Sequence, residues 1–496
     1  VLWILASTSL VFSQEYLKDT EIADAIEDEY RFDHAVNVNH VNVNVSDGIV
    51  QLTGIVNNLK AKERAGKIAE IVKGVRAVSN RIEVVPPVVL SDEGIRDRVI
   101  ETLSKDPATD SYQVSVYVDY KVVTLSGTVD SYREKELCGN LAKSVKGVVH
   151  LENKITVDYR TERPDSELQK EISEALKWNV LVDDGMIHVR VDNGHVRLIG
   201  VVGSAAEKSN AEYTAQVAGV RSVDVSGLKV EWWAKDEDLR KNKYVIISDN
   251  EIEKAIKDAA LYDPRVHSFD ITAESHNGWV TLRGTVDNLK AKRAAGKLAE
   301  HTTGVAGVTN RIKVNWGEEN PSDVEIEQEI LTALANNAIT ESWEIDVHLS
   351  NGTATLQGVV DSYVEKTEAE WVASGVEGVN DVFNILKVNY PYGYYWWDNY
   401  PYYDLQMIPP YTRETVTKKI PNDDFIEQSV KHEIWWSSFV DHEQVDVKVN
   451  NGEVVLEGTV DSWKEYQKAA ENAWEGGAWT VTNKLIVAAA DTTKNK

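Results

Sequence analysis

The chain has 496 residues, 53 of them basic and 80 acidic, and a formal net charge of -27. A field of that sign repels nucleic acid and, over the molecule as a whole, anionic membranes, so nucleic-acid binding is excluded as the expected function. A single cysteine, Cys138, rules out an internal disulfide.

Residues Val1 to Ser13 form an apolar run that closes on small residues, with Val11 and Ser13 where a signal peptidase reads before Gln14. The run reads as the tail of a secretory signal peptide (1–13); the alternative is a short buried element of the first folded unit. No other stretch reaches the roughly 18 apolar residues that a membrane-spanning helix needs, and no Cys follows to accept a lipid. The expected protein is soluble and periplasmic or otherwise exported.

From residue 18 onward one pattern repeats. A helix with apolar residues at Ile22, Ile26 and Tyr30 places one stripe toward a core. An alternating strand follows at Val41, Val43 and Val45, then the turn pair Asp47-Gly48, which tolerates the positive φ of a two-residue hairpin. The return strand ends on Leu52-Thr53-Gly54, where glycine lets the backbone bend or approach the next helix. A second helix, Ala61 to Lys73, stops at Gly74, and a last strand, Arg81-Ile82-Glu83-Val84, completes the unit. The expected fold is α+β: each unit runs helix, strand, strand, helix, strand, and forms a three-stranded mixed sheet with both helices on one face.

The Leu-x-Gly line returns at Gly127, Gly200, Gly284, Gly358 and Gly458, and the downstream glycine at Gly147, Gly219, Gly304, Gly378 and Gly477. A period of roughly 70 residues means an array of modules. The expected boundaries are 18–85, 91–160, 165–233, 248–316, 322–390 and 421–490, with an aromatic linker at 391–420. Only the second unit departs at the hairpin, with Tyr120-Lys121, and only the third lacks the late Asn of Asn80, having Val225. Asn58-Leu59-Lys60-Ala61-Lys62 recurs as Asn288-Leu289-Lys290-Ala291-Lys292, and Asp130-Ser131-Tyr132 as Asp361-Ser362-Tyr363. Units one, two and three therefore correspond to four, five and six, as after duplication of a three-unit block.

The pattern V-x-L-x-G-x-V, an Ala-rich helix, then G-V-x-x-V-x-N resembles the BON (bacterial OsmY and nodulation) domain, in six tandem copies over about residues 18 to 490. The resemblance implies a periplasmic cell-envelope protein, OsmY-like, induced by osmotic or envelope stress and associated with phospholipid or with other envelope proteins. The runner-up function is a periplasmic chaperone or scaffold that binds exported proteins.

Six near-copies are a poor place for one active site, because a catalytic residue must stand out from its equivalents. The eleven histidines are scattered, no His-Glu-x-x-His or phosphate-cradling glycine loop occurs, and nothing calls for a metal or cofactor. Cys138 takes the place of Ala65, Ala211 and Ala295, a packing position. The expected protein is not an enzyme. Candidate contacts for lipid headgroups or an acidic partner are Lys60, Lys62 and Arg64 in unit one and Lys290, Lys292 and Arg293 in unit four, which start the second helix; the alternative for them is a solvated helix face. Trp435 stands where unit three has Lys177 and is a candidate for a membrane interface or protein contact, whereas Trp436 matches Trp178 and packs. Trp396 and Trp397, in the Tyr/Trp-rich linker, are candidates for glycan, membrane or inter-unit contact, against a linker that simply covers apolar surface.

Overall fold

The computed structural model describes residues 17–488 except 34, 37–39, 88, 110–112, 160–162, 236–246, 267–270, 317–320 and 389–421. Residues 1–13, expected to be a leader, and the expected linker, with Trp396 and Trp397, lie outside the described residues.

Twelve α-helices form six pairs among them: α1 (Asp19–Phe32) and α2 (Leu59–Ile71), α3 (Asp92–Lys105) and α4 (Tyr132–Ser144), α5 (Asp165–Trp178) and α6 (Ala205–Thr214), α7 (Asp249–Tyr262) and α8 (Leu289–Glu300), α9 (Asp323–Asn336) and α10 (Tyr363–Ala373), α11 (Asp423–Trp436) and α12 (Trp463–Glu475). In the first module β1 (Val41–Ser46) pairs antiparallel with β2 (Ile49–Val56), and β2 pairs parallel with β3 (Ala77–Asn80) and β4 (Glu83–Val84). This is the mixed three-stranded sheet that the alternation predicts, and the other five modules repeat it. The Ile22, Ile26 and Tyr30 stripe is buried against Val50 and Leu52 of the middle strand, so each module has its own small core.

Local chemistry explains why every copy folds alike. The residue before each second helix caps it: Asn58 accepts from the Ala61 amide, and Ser131, Ser204, Asn288, Ser362 and Ser462 do the same for their helices. The Asp that opens each first helix does more than favour the helix dipole. Asp19, Asp92, Asp165, Asp249, Asp323 and Asp423 each accept from both backbone amides of the hairpin turn, at 2.8 to 3.0 Å. Helix and hairpin are thus tied by two charge-assisted bonds in every module. Tyr120 and Lys121 adopt the same left-handed conformation as Asp47-Gly48, with φ of 48° and 62°; their sequence departs and their turn does not.

The Leu-x-Gly glycine has a different neighbour from the one the sequence suggests. A Cβ at Gly54 would lie 2.0 Å from the His40 carbonyl oxygen, and one at Gly358 2.0 Å from that of Glu344, both with strongly positive φ. The close approach is to the backbone entering the first strand, not to the following helix. The late Asn is a latch: Asn80, Asn153, Asn310, Asn384 and Asn483 donate to a carbonyl of the second helix at 2.5 to 2.8 Å. Without it, the third module's last strand shifts register between Asp224 and Gly227.

The modules are fused rather than strung. Leu59 of the first enters the core of the second, Leu289 of the fourth enters that of the fifth, and Ala205 and Trp436 enter that of the first. The end of the second helix in modules one, two and four forms a short antiparallel bridge with the end of the first helix in modules six, five and three: Val72 with Ser437, Val145 with Asn337, and Thr302 with Asn179. Backbone bonds flank each bridge, Lys73 N to Trp436 O at 3.1 Å and its counterpart Thr303 N to Trp178 O at 2.8 Å among them. First pairs with last, second with fifth, third with fourth.

Candidate functional site

Five of the six cations that open α2 and α8 face neighbouring modules. Arg64 bonds Asp33 at 2.5 Å in its own module and Glu475 of the sixth at 3.2 Å. Burial works against its charge, but these two carboxylates raise its pKa on balance. Lys290 pairs with the buried Asp106 of the second module and lies 4.2 Å from the centre of the Trp371 ring. Lys60 approaches the same ring at 5.6 Å. Lys292 pairs with Asp381 at 3.3 Å and Arg293 with Glu370 at 2.7 Å, both in the fifth module. Lys62 is half-buried, and its carbonyl holds the Asn80 latch. Sequence alone offers no signal for this, because a lysine reads the same on a solvated face and in a seam.

Trp435 is half-buried where modules six and one meet, edge-on to Trp436 at 4.6 Å and under Lys73 Nζ at 5.4 Å. Trp436 is 6 % exposed and packs into the first module's core. Beside them two acids meet: Glu433, 2 % exposed, and Glu29, which share a hydrogen bond. Burial pushes Glu29 up to about 7, and burial together with the Glu29 charge pushes Glu433 well above the carboxylate range.

The seam between modules three and four has the same backbone bridge but smaller side chains. Ala175 and Ala259 stand at the positions of Glu433 and Glu29, and Gln216 at that of Trp474. What remains is a cleft of about 650 Å3 between α5, α6, α7 and α8, lined in part by Trp178, Tyr213, Tyr262 and His301 and by Arg133 of the second module. Burial and the Lys464 charge hold the His301 imidazole down to about 3, so it is neutral. Sequence reasoning passed over this site because it is made by what is missing, two alanines in place of larger residues.

Cys138 is fully buried, and the His432 ring accepts from Trp436 Nε1 at 2.9 Å. Among the described residues no group of three His, Cys, Asp or Glu side chains is placed to hold a metal ion, and no helix is long and apolar enough to cross a membrane.

Comparison with known proteins fits the repeated geometry. The BON domain family matches residues 18–86, 91–159, 164–231, 248–315, 322–390 and 422–489. Osmotically-inducible protein Y of Escherichia coli (strain K12) is 30% identical over 190 residues, covering 37% of this chain and 88% of that protein. Two solved structures of CdsD, a structural protein of the type III secretion system of Chlamydia trachomatis, are each 18% identical with a TM-score of 0.12. They cover 42% and 44% of this chain and 98% and 97% of theirs. Superposition that poor carries no structural argument. The family matches span nearly all of the described fold, and the chain belongs to the BON domain family, as six copies in tandem.

Proposed function

We propose that this protein is an exported, non-enzymatic component of the cell envelope that acts under osmotic or envelope stress and associates with membrane phospholipid. The observation that supports it is the chain-long BON repetition together with the likeness to osmotically-inducible protein Y. In this reading Lys60, Lys62, Arg64, Lys290, Lys292 and Arg293 at the rims of the seams meet headgroups, with Trp396, Trp397 and Trp435 at the interface. Several weak contacts on one chain add by avidity. Flotation with anionic vesicles at low and high salt tests it: salt-sensitive binding is expected, and no binding at low salt overturns it.

The second reading is a scaffold or chaperone for exported proteins. It is favoured by the engagement of those same cations with Asp106, Glu370, Asp381 and Glu475, which leaves less charge free for headgroups. Its measurement is suppression of aggregation of an unfolded outer-membrane protein, and a result no better than an inert acidic protein removes it.

A further inference from the structure

The cleft between modules three and four is lined by equal numbers of acids and cations, and among the cations Arg133 stands out by its burial. Arg133 is 8 % exposed, and it donates from Nε to the Gln216 carbonyl at 3.3 Å and from Nη2 to that of Tyr213. Its guanidinium lies 3.5 Å from the centre of the Tyr213 ring. It takes part in no ion pair among the described residues, and its Nη1 has no partner. The acids of the same cleft are mostly engaged elsewhere: Glu167 and Glu171 by Arg163, Glu174 by Lys177, Asp258 by Lys254, Asp263 by Arg265. Asp263 and Glu136 lie near enough to favour the Arg133 charge, but neither pairs with it directly; burying a cation without an ion pair is costly, and a bound oxyanion offsets that cost.

Two further polar atoms of the lining have no partner, Gln216 Oε1 and Glu171 Oε1, and both are acceptors. Gln216 is itself 7 % exposed. Among the buried side-chain atoms of the lining, one cationic donor and two acceptors are therefore without a partner. Its walls, among them Trp178, Tyr262, Ala175 and Ala259, are mostly apolar, and its volume lies within the range of small-molecule sites, roughly 300 to 1,000 Å3. Aromatic rings suit the C–H face of a sugar, and unused acceptors suit its hydroxyls.

The homologous seam between modules six and one is a control within the same chain. It makes the same bridge with Glu433, Glu29 and Trp474 at the corresponding positions, and Val364 stands where Arg133 does. The bridge alone does not require a cleft, nor does it require an arginine.

We propose that the third and fourth modules, with Arg133 of the second, form a binding site for a hydroxylated small molecule of monosaccharide size that carries one carboxylate or phosphate group. The anion sits on Arg133 Nη1, the hydroxyls donate to Gln216 and Glu171, and the ring lies along Trp178 and Tyr262. This site is independent of phospholipid association and of the scaffold reading.

Isothermal titration of the full chain with glucose 6-phosphate and with glucuronate tests it and separates the two oxyanions. Saturable binding of at least one is expected, with glucose and inorganic phosphate each weaker by about tenfold or more, the worth of a charge-assisted bond. Arg133→Met removes the charge and is expected to weaken binding by a similar factor. Ala259→Leu fills the cleft without touching Arg133 and is expected to abolish binding, which keeps the proposal testable should the arginine variant fail to fold. No binding of either acid, glucose binding as tightly as the acids, or binding unchanged in Ala259→Leu would each overturn the proposal.

Discussion

Glu433 meets Glu29 across the seam between the sixth and first modules, where the third and fourth carry Ala175 and Ala259. Asp28, Arg64, Lys468 and Glu475 complete the charged surroundings of the pair. Both carboxyls have folded pKa values above their unfolded ones, so their contribution to stability is fully present below about pH 4.5 and is lost as pH rises through the folded values, about 7 for Glu29 and well above the carboxylate range for Glu433. Glu171 and Glu465, each pushed up to about 7 by burial, act in the same window. Calorimetric scans from pH 5.5 to 8 should therefore show Tm falling as pH rises. Glu433→Gln, which keeps a donor for Glu29 and removes one proton, should shrink that fall and raise Tm at pH 8; an unchanged profile would show that the seam carries no such coupling.

The Leu-x-Gly glycine should tolerate no side chain. Gly358→Ala places a Cβ 2.0 Å from the Glu344 carbonyl oxygen at φ 140°, and the fifth module is expected to lose about 3 kcal/mol or more. Urea unfolding followed by amide exchange in Ile345–Ser350 measures it.

The hairpin of the second module is a place to gain stability. Tyr120 and Lys121 occupy left-handed conformations that favour Asn and Gly. The double change Tyr120→Asn, Lys121→Gly should stabilise by about 1 kcal/mol, read as a higher denaturation midpoint with unaltered slope.

Removing Lys290 should strand Asp106, which is 4 % exposed. Lys290→Met keeps the apolar stem over Trp371 and breaks the ion pair, at an expected cost of about 3 kcal/mol. Adding Asp106→Asn to it should recover most of that loss, and the double-mutant cycle reports the coupling directly.

The hairpin clamp gives a milder effect. Asp249→Ala removes two bonds to the turn amides of Asn277 and Gly278 and should cost about 2 kcal/mol, seen as faster exchange of those amides before the rest of the module opens.

Much of a single module is written in nearest-neighbour chemistry. The stripe at Ile22, Ile26 and Tyr30, the alternation at Val41 and Val43, and the glycines with positive φ each act within a few residues, so six repetitions made the fold legible. The clamp by Asp19 was half-visible: its place at a helix start marks a capping residue, but its partners Asp47 and Gly48 are reached only once the hairpin folds back. The surroundings of the basic residues were the least legible. Lys290 has the same spacing whether it faces lipid or Asp106, and the partner lies in a module far away in the chain.

The sequence by itself determined the module, its topology and its number, because backbone preference and apolar period act locally and repeat wherever the letters repeat. Tertiary structure alone decided that the first module pairs with the last, that one seam is filled by Glu29 and Glu433, and that its counterpart keeps a cleft lined by Arg133. Those outcomes depend on side chains of different modules meeting in space, where volume and unpaired charge are set jointly by residues that share no periodicity.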